Sequence, residues 1–241
     1  MNFSKNIMER LYTAKAYIFD FYGTLVEIDY EPPQMWETLR NLGYECYPSM
    51  QEMWESDGFD GCLTPSYNSI PSYQDWRRNN VIQLIRQSRV PNERINEIYD
   101  TLIEIEKRAT KRAIPGADSI IKLLRTHNKK IGLCSNWDFP IQPYLKQAGL
   151  PLFDAVSVSA EVGARKPNAA MFNDICTKLN VLPSEAVFIG DHWFNDIVGS
   201  TRFELFPVWI RHDNPPCAMP NHVLEFESLK NFEKELEKIF S

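Results

Sequence analysis

Asp20 closes the apolar run Ala16-Tyr17-Ile18-Phe19 and is followed by Phe21-Tyr22-Gly23-Thr24-Leu25. A carboxylate at the end of a buried strand is costly to desolvate unless it is paired, metal-bound or reactive. Asp20 is therefore a candidate nucleophile, since a carboxylate can form an acyl phosphate or an ester intermediate. Three further segments carry comparable chemistry: Cys134-Ser135-Asn136, Arg165-Lys166-Pro167 and Gly190-Asp191-His192-Trp193-Phe194-Asn195-Asp196. Ser135 offers a hydroxyl donor to a phosphoryl or carboxylate oxygen. Lys166 supplies a positive charge able to hold both Asp20 and a substrate anion. Asp191 and Asp196 add two carboxylates, so three acids face one lysine. Mg²⁺ is the natural counter-ion, because it favours one or two carboxylates together with waters and phosphate oxygens.

The elements that must position these residues are readable from hydrophobic pattern. Short, nearly continuous apolar runs at Ala16–Phe19, Lys130–Cys134, Ala155–Val158, Ala186–Ile189 and Pro207–Ile210 read as parallel strands buried on both faces. Helical patterns at Asp118–His127, Pro140–Ala148, Asn168–Leu179 and Asn195–Phe203 separate the later strands, and Leu229–Phe240 reads as a final amphipathic helix. This alternation predicts an α/β fold with a doubly wound, Rossmann-like parallel sheet. Such a sheet brings the four segments to one edge, where α/β folds place their ligand sites. Residues 29–113 break the rhythm: their apolar pattern is helical throughout, near 33–43, 48–56, 73–88 and 92–112. The expectation is a catalytic core of residues 1–28 and 114–241 and a smaller all-helical cap of residues 29–113, with Pro115-Gly116 marking the return.

In this order, the four segments resemble the motifs of the haloacid dehalogenase-like hydrolases, whose first motif reads D-x-D-G-T-L. The resemblance covers about residues 14–28 and 114–210, and the insert stands where that family often has its cap. It implies that Asp20 is the nucleophile, Ser135 the hydroxyl of the second motif and Lys166 the lysine of the third. It makes Asp191 and Asp196 the metal-side acids. The metal also takes the main-chain carbonyl two residues after the nucleophile, which is Tyr22 here. The side chain at that position departs from the family: the general acid/base aspartate of its phosphatases is a tyrosine. General acid–base help is worth ~10²–10⁴-fold, and an ordinary phenol with a pKa of about 10 is a poor substitute for a carboxyl group.

Tyr22 together with Ser135-Asn136 leans towards the dehalogenases, where halide leaves without a proton. Gly190-Asp191 and Asp196 lean towards the metal-dependent phosphatases. Three readings follow. The first is Mg²⁺-dependent hydrolysis of a small phosphorylated metabolite. The second is 2-haloacid dehalogenation. The third is a binding or regulatory protein on a catalytically weakened scaffold. Tyr22, Asn136 and His192 stand as substrate-facing candidates. Loop packing competes for His192 and Trp193. Arg40 reads as a solvated helix charge, Trp36, Trp54 and Trp76 as core anchors, and Tyr67 as a residue able to close over a substrate. His127, His212 and His222 share no ligand spacing and read as surface residues.

Taken singly, Asp20 could be a turn residue, Ser135 a helix cap and Asp196 a first-turn acid. Four such segments in order on one sheet do not reduce to those readings. The 241 residues suffice for one large and one small domain, and 44% apolar content allows a substantial core. A net charge of -6 speaks against a nucleic-acid partner. The five cysteines (46, 62, 134, 176 and 217) form no C-x-x-C pair, and Cys134 and Cys176 lie in apolar stretches. That usage suits a reducing cytosol. With no signal-type segment at the start and no run of about 18 apolar residues, the expectation is a cytoplasmic protein acting on a small molecule away from membranes.

Overall fold

The computed structural model describes residues 5–46, 70–137, 140–212, 220 and 222–241. The expected helix near 48–56, Trp54, Tyr67, Cys62, Cys217 and most of the Pro-rich stretch after His212 lie outside them.

Six parallel strands form the central sheet, in the order β5-β4-β1-β6-β7-β8. They are β1 (Ala16–Phe19), β4 (Lys130–Ser135), β5 (Ala155–Val158), β6 (Ala186–Gly190), β7 (Phe206–Ile210) and β8 (Leu224–Phe226). The five apolar runs became strands because both of their faces are covered. Tyr17 and Phe19 point into one layer with Ile131, Leu133, Val187 and Ile189. There they meet Ile120, Ile121 and Leu124 of helix α5 (Ala117–Thr126) and Leu229, Phe232 and Leu236 of helix α10 (Leu229–Phe240). Ala16 and Ile18 point the other way, with Cys134 and Phe188, onto Met171, Phe172, Ile175 and Leu179 of helix α8 (Ala169–Leu179). Each such side chain contributes ~1.5–3 kcal/mol on full burial, so a slip of one residue in β1 would forfeit both layers. Burial pushes the Cys176 thiol up to about 11 and the Cys134 thiol well above its ordinary range. Cys46, Cys134 and Cys176 are free thiols.

Three elements differ from the sequence expectation. β8 is three residues long, too short to announce itself by pattern. The helical pattern of 92–112 stops earlier: a 3₁₀ turn (Asn92–Arg94) leads into helix α4 (Ile95–Glu106), and Thr110–Ala113 forms strand β3. β3 pairs with β2 (Val26–Tyr30) in a separate two-stranded sheet, so residues 29–113 are not all-helical. Both strands are largely solvent-facing, which is why they carry no apolar signature. The expected helix Asn195–Phe203 is a π-helical segment, Trp193–Val198, continued by a short α-helix α9 (Gly199–Arg202).

The described residues divide into two compact units at Glu27/Ile28 and Lys111/Arg112. The sheet belongs to the larger. In the smaller, helices α2 (Met35–Asn41), α3 (Ile70–Gln87) and α4 surround Met35, Leu39, Val81, Leu84, Ile85, Ile98 and Leu102. Trp36 is buried, and the Arg40 guanidinium lies over its ring at 5.0 Å. No helix among the described residues is long and apolar enough to cross a membrane.

Candidate active site

β1 lies between β4 and β6, and the chain leaves it first towards β4 and β5 and later towards β6, β7 and β8. The strand order reverses there, which opens a crevice at the carboxyl ends of the strands. Asp20 follows β1 at that crevice, and its main-chain N–H donates to the Ile189 carbonyl at 2.8 Å. Ser135 ends β4 and is buried. Asp191 follows β6. Lys166 sits in the loop before α8, whose N-terminus is capped by Asn168 accepting from the Ala170 N–H at 2.9 Å.

The lysine is the hub. Lys166 Nζ donates to Asp20 Oδ1 and to Asp196 Oδ1, each at 2.6 Å. Burial works against its charge, but Asp196 and Asp20 together outweigh it and hold its pKa above the ordinary lysine value. Asp196 also accepts from the His192 N–H through Oδ2 at 3.0 Å. Its own N–H donates to the His192 carbonyl at 2.9 Å. The π-helical turn thus folds back on its first residue and aims Asp196 at the sheet edge. Burial raises the Asp196 carboxyl, and Lys166 opposes that rise.

Asp191 is held at both ends. Thr24 Oγ1 donates to its Oδ1 at 3.0 Å, and Trp209 Nε1 donates to its carbonyl at 2.8 Å. Burial, followed by the charges of Asp20 and Asp196, pushes its carboxyl up to about 8. Two glycines make this crowding possible. Gly23 adopts φ +83°, and a Cβ there would lie 2.2 Å from Asp191 Oδ2. A Cβ on Gly190 would lie 2.4 Å from Asp196 Oδ2. Carboxylate oxygens of Asp20, Asp191 and Asp196 lie within 4.8 Å of one another. Three hard oxygen donors, one of which has its pKa raised by burial and by the charges of the other two, suit a hard divalent cation.

The other residues singled out in the sequence are placed differently. Asn136 accepts from the Lys166 N–H through Oδ1 at 2.6 Å and donates from Nδ2 to the Lys166 carbonyl at 3.1 Å. Its carboxamide clamps the main chain of the lysine. His192 Nδ1 accepts from the Asn195 N–H at 3.1 Å and caps the π-helical turn. Tyr22 is 44% exposed, with its ring tilted against Trp137 and the centroids 6.3 Å apart. Trp137 is held edge-on by Phe21 at 5.2 Å and by Tyr144 at 5.6 Å.

Sequence reasoning missed Thr24, Trp209 and His212. His212 Nε2 lies 2.7 Å from the Gly23 carbonyl, although its sequence context reads as plain surface. The available signal was positional: His212 stands two residues beyond β7, on the sheet edge that carries the other groups, and Thr24 adjoins the tight turn at Gly23.

Comparison with known proteins agrees with this geometry. The haloacid dehalogenase-like hydrolase family matches residues 14–200. The chain is 29% identical over 104 residues to glyceraldehyde 3-phosphate phosphatase of Pyrococcus furiosus, covering 42% of this chain and 43% of the relative. It is 28% identical over 130 residues to the haloacid dehalogenase-like hydrolase domain-containing protein 3 of Mus musculus, covering 53% and 52%. The chain thus spans about half the length of the curated relatives it matches. Its fold superposes on the 2-haloacid dehalogenase of Pseudomonas syringae pv. Tomato DC3000 with a TM-score of 0.64, at 19% identity over 93% of this chain and 99% of that one. The chain belongs to the haloacid dehalogenase-like hydrolase family.

Proposed function

We propose that the chain is a Mg²⁺-dependent phosphohydrolase acting on a small phosphorylated molecule. The observation that carries this reading is the cluster itself. Asp20, Asp191 and Asp196 have carboxylate oxygens within 4.8 Å of one another, with a single lysine 2.6 Å from two of them. A phosphate-sized anion fits beside these carboxylates only if a further cation is present. Asp20, Asp191 and Asp196, with the main-chain carbonyl of Tyr22, would hold Mg²⁺. When bound, the ion neutralises charge on the phosphoryl oxygens and carboxylates. The name of the Pyrococcus furiosus relative, a glyceraldehyde 3-phosphate phosphatase, supports a small phosphorylated substrate.

A carboxylate oxygen of Asp20 attacks phosphorus, the bond from phosphorus to the leaving oxygen breaks, and an aspartyl phosphate results. Lys166 steadies the Asp20 carboxylate and offers its charge to the transferring group. Ser135 supplies a hydroxyl donor to a phosphoryl oxygen. Asn136 keeps the lysine in register by bonding to its main chain. Water then attacks phosphorus and frees the carboxylate and phosphate.

The test is phosphate release across a panel of phosphorylated metabolites, with Mg²⁺ and with chelator, for the wild type and Asp20→Asn. Metal-dependent release that Asp20→Asn abolishes is expected. A protein that neither binds Mg²⁺ nor releases phosphate refutes the reading. Tyr22 and the Ser135-Asn136 pair support a second reading, displacement of halide from a 2-haloacid by Asp20. Metal-independent halide release would establish it.

A further inference from the structure

The chemistry around Asp20 has an uneven proton inventory. Lys166 gives two of its three hydrogens to carboxylates, each at 2.6 Å, and its charge is shared between Asp20 and Asp196. His192 Nδ1 accepts from the Asn195 N–H at 3.1 Å and is occupied in capping the turn. The His212 Nε2 hydrogen is spent on the Gly23 carbonyl at 2.7 Å. The Thr24 hydroxyl hydrogen is spent on Asp191. Asp191 and Asp196 belong to the proposed metal site. Ser135 serves a phosphoryl oxygen in the proposed mechanism and Asn136 holds the Lys166 main chain, so each of these groups has another task. Beside them stands an aromatic surface. Tyr22, two residues from Asp20, is 44% exposed as a residue. Its other side leans on Trp137, which Phe21 and Tyr144 hold edge-on.

We infer that this site prefers phosphomonoesters with a planar, weakly basic leaving group, of the aryl phosphate class, which departs unprotonated along the ring surface of Tyr22 and Trp137. The inference rests on the phosphohydrolase reading and narrows it. In the step, Asp20 forms its bond to phosphorus as the bond from phosphorus to the aryl oxygen breaks. The aryloxide leaves with the electron pair and takes its proton from bulk water afterwards. Hydrolysis of the aspartyl phosphate then consumes one water, returning the Asp20 carboxylate and inorganic phosphate. An alkyl phosphate would have to expel a strongly basic alkoxide without help, forfeiting the ~10²–10⁴-fold that acid assistance provides. Conjugated rings both spread the leaving charge and stack on an aromatic face.

The deciding experiment measures kcat/KM for the full chain with Mg²⁺ across substituted phenyl phosphates of graded leaving-group acidity. A fluoroalkyl phosphate matched in acidity to one of the phenols and glyceraldehyde 3-phosphate complete the series. The expected wild-type result is a fall of about 100-fold or more from nitrophenyl phosphate to glyceraldehyde 3-phosphate. The matched fluoroalkyl ester should be slower than its aryl counterpart. Tyr22→Asp is expected to raise turnover of glyceraldehyde 3-phosphate by about 10-fold or more. Tyr22→Leu is expected to erase the difference between the matched aryl and fluoroalkyl esters. Thermal melting of each variant shows whether it is folded, and the wild-type series decides the matter without them. Equal turnover of aryl and alkyl phosphates overturns the inference and leaves the phosphohydrolase reading standing. No phosphate release from any ester, with Asp20→Asn indistinguishable from wild type, overturns both.

Discussion

Two lysines in this protein make ion pairs of the same length in opposite surroundings. At the carboxyl edge of the sheet, Lys166 lies 2.6 Å from Asp20 and from Asp196, with its side chain 2% exposed. In the helical unit, Lys107 lies 2.6 Å from Glu104, with its side chain 64% exposed. Distance does not separate them; solvent does. Water competes for both ends of the Lys107 pair and screens what remains. Around Lys166 no such relief exists, so each charge depends on its partners. The helical unit takes its stability from the apolar cluster among α2, α3 and α4, and its Lys107–Glu104 pair lies on the surface. The sheet edge instead concentrates charge inside, at a cost that the rest of the core must offset.

Removing the hub should break this contrast most severely. Lys166→Ala leaves Asp20 and Asp196 buried without their cation, and a loss of ~3–5 kcal/mol is expected, measured by urea unfolding, together with loss of phosphate release. Leu84→Ala attacks the other region where it is strong. A cavity at this fully buried position should cost ~2–5 kcal/mol, with hydrogen exchange rising among residues 28–111 while metal binding persists. Asn136→Ala removes both bonds to the Lys166 main chain, at an expected ~1–3 kcal/mol. It should lower kcat more than it raises KM, because the clamp acts through the lysine.

Asp191→Asn sharpens the comparison in the opposite direction. The Asp191 carboxyl is raised from 3.8 to about 8. Between those pH values the unfolded chain releases a proton that the metal-free folded protein keeps, so folded stability falls as pH rises. The variant should therefore be more stable than wild type without metal, with the gap widening from pH 4 to pH 8, while Mg²⁺ no longer raises its melting temperature. The smallest effect belongs to Glu104→Ala in the exposed pair. Its melting temperature should match that of wild type, and a clear drop would show that exposure does not separate the two lysines as described.

Much of the sheet was legible because β1, β4, β6 and β7 are buried on both faces, and burial on both faces leaves an uninterrupted apolar run. The solvent-facing β2 and β3 leave no such trace, and the helical reading of 92–112 ran over Thr110–Ala113 for that reason. The π-helical turn Trp193–Val198 was read as ordinary helix. Its wider winding is defined by main-chain bonds between residues five apart, and side-chain spacing reports those weakly. Asp20, Ser135 and Asp191 were legible as types at strand ends, and Lys166 and Asp196 as types in the segments that follow. The role of Asn136 was not, since its partner Lys166 is 30 positions away.

By itself, the sequence determined which chemistry is available: three carboxylates, one lysine and a tyrosine two residues after the leading aspartate. It also determined that strand ends and the segments just after them would carry these groups, because hydrophobic periodicity follows directly from burial. Only the tertiary structure decided how those charges are shared. Lys166 reaches across 146 positions to Asp20 and across 30 to Asp196, and the crowding that lifts Asp191 depends on the close approach allowed at Gly23 and Gly190. Coulombic and desolvation energies depend on separation and on exclusion of water, and neither quantity exists until the strands are side by side.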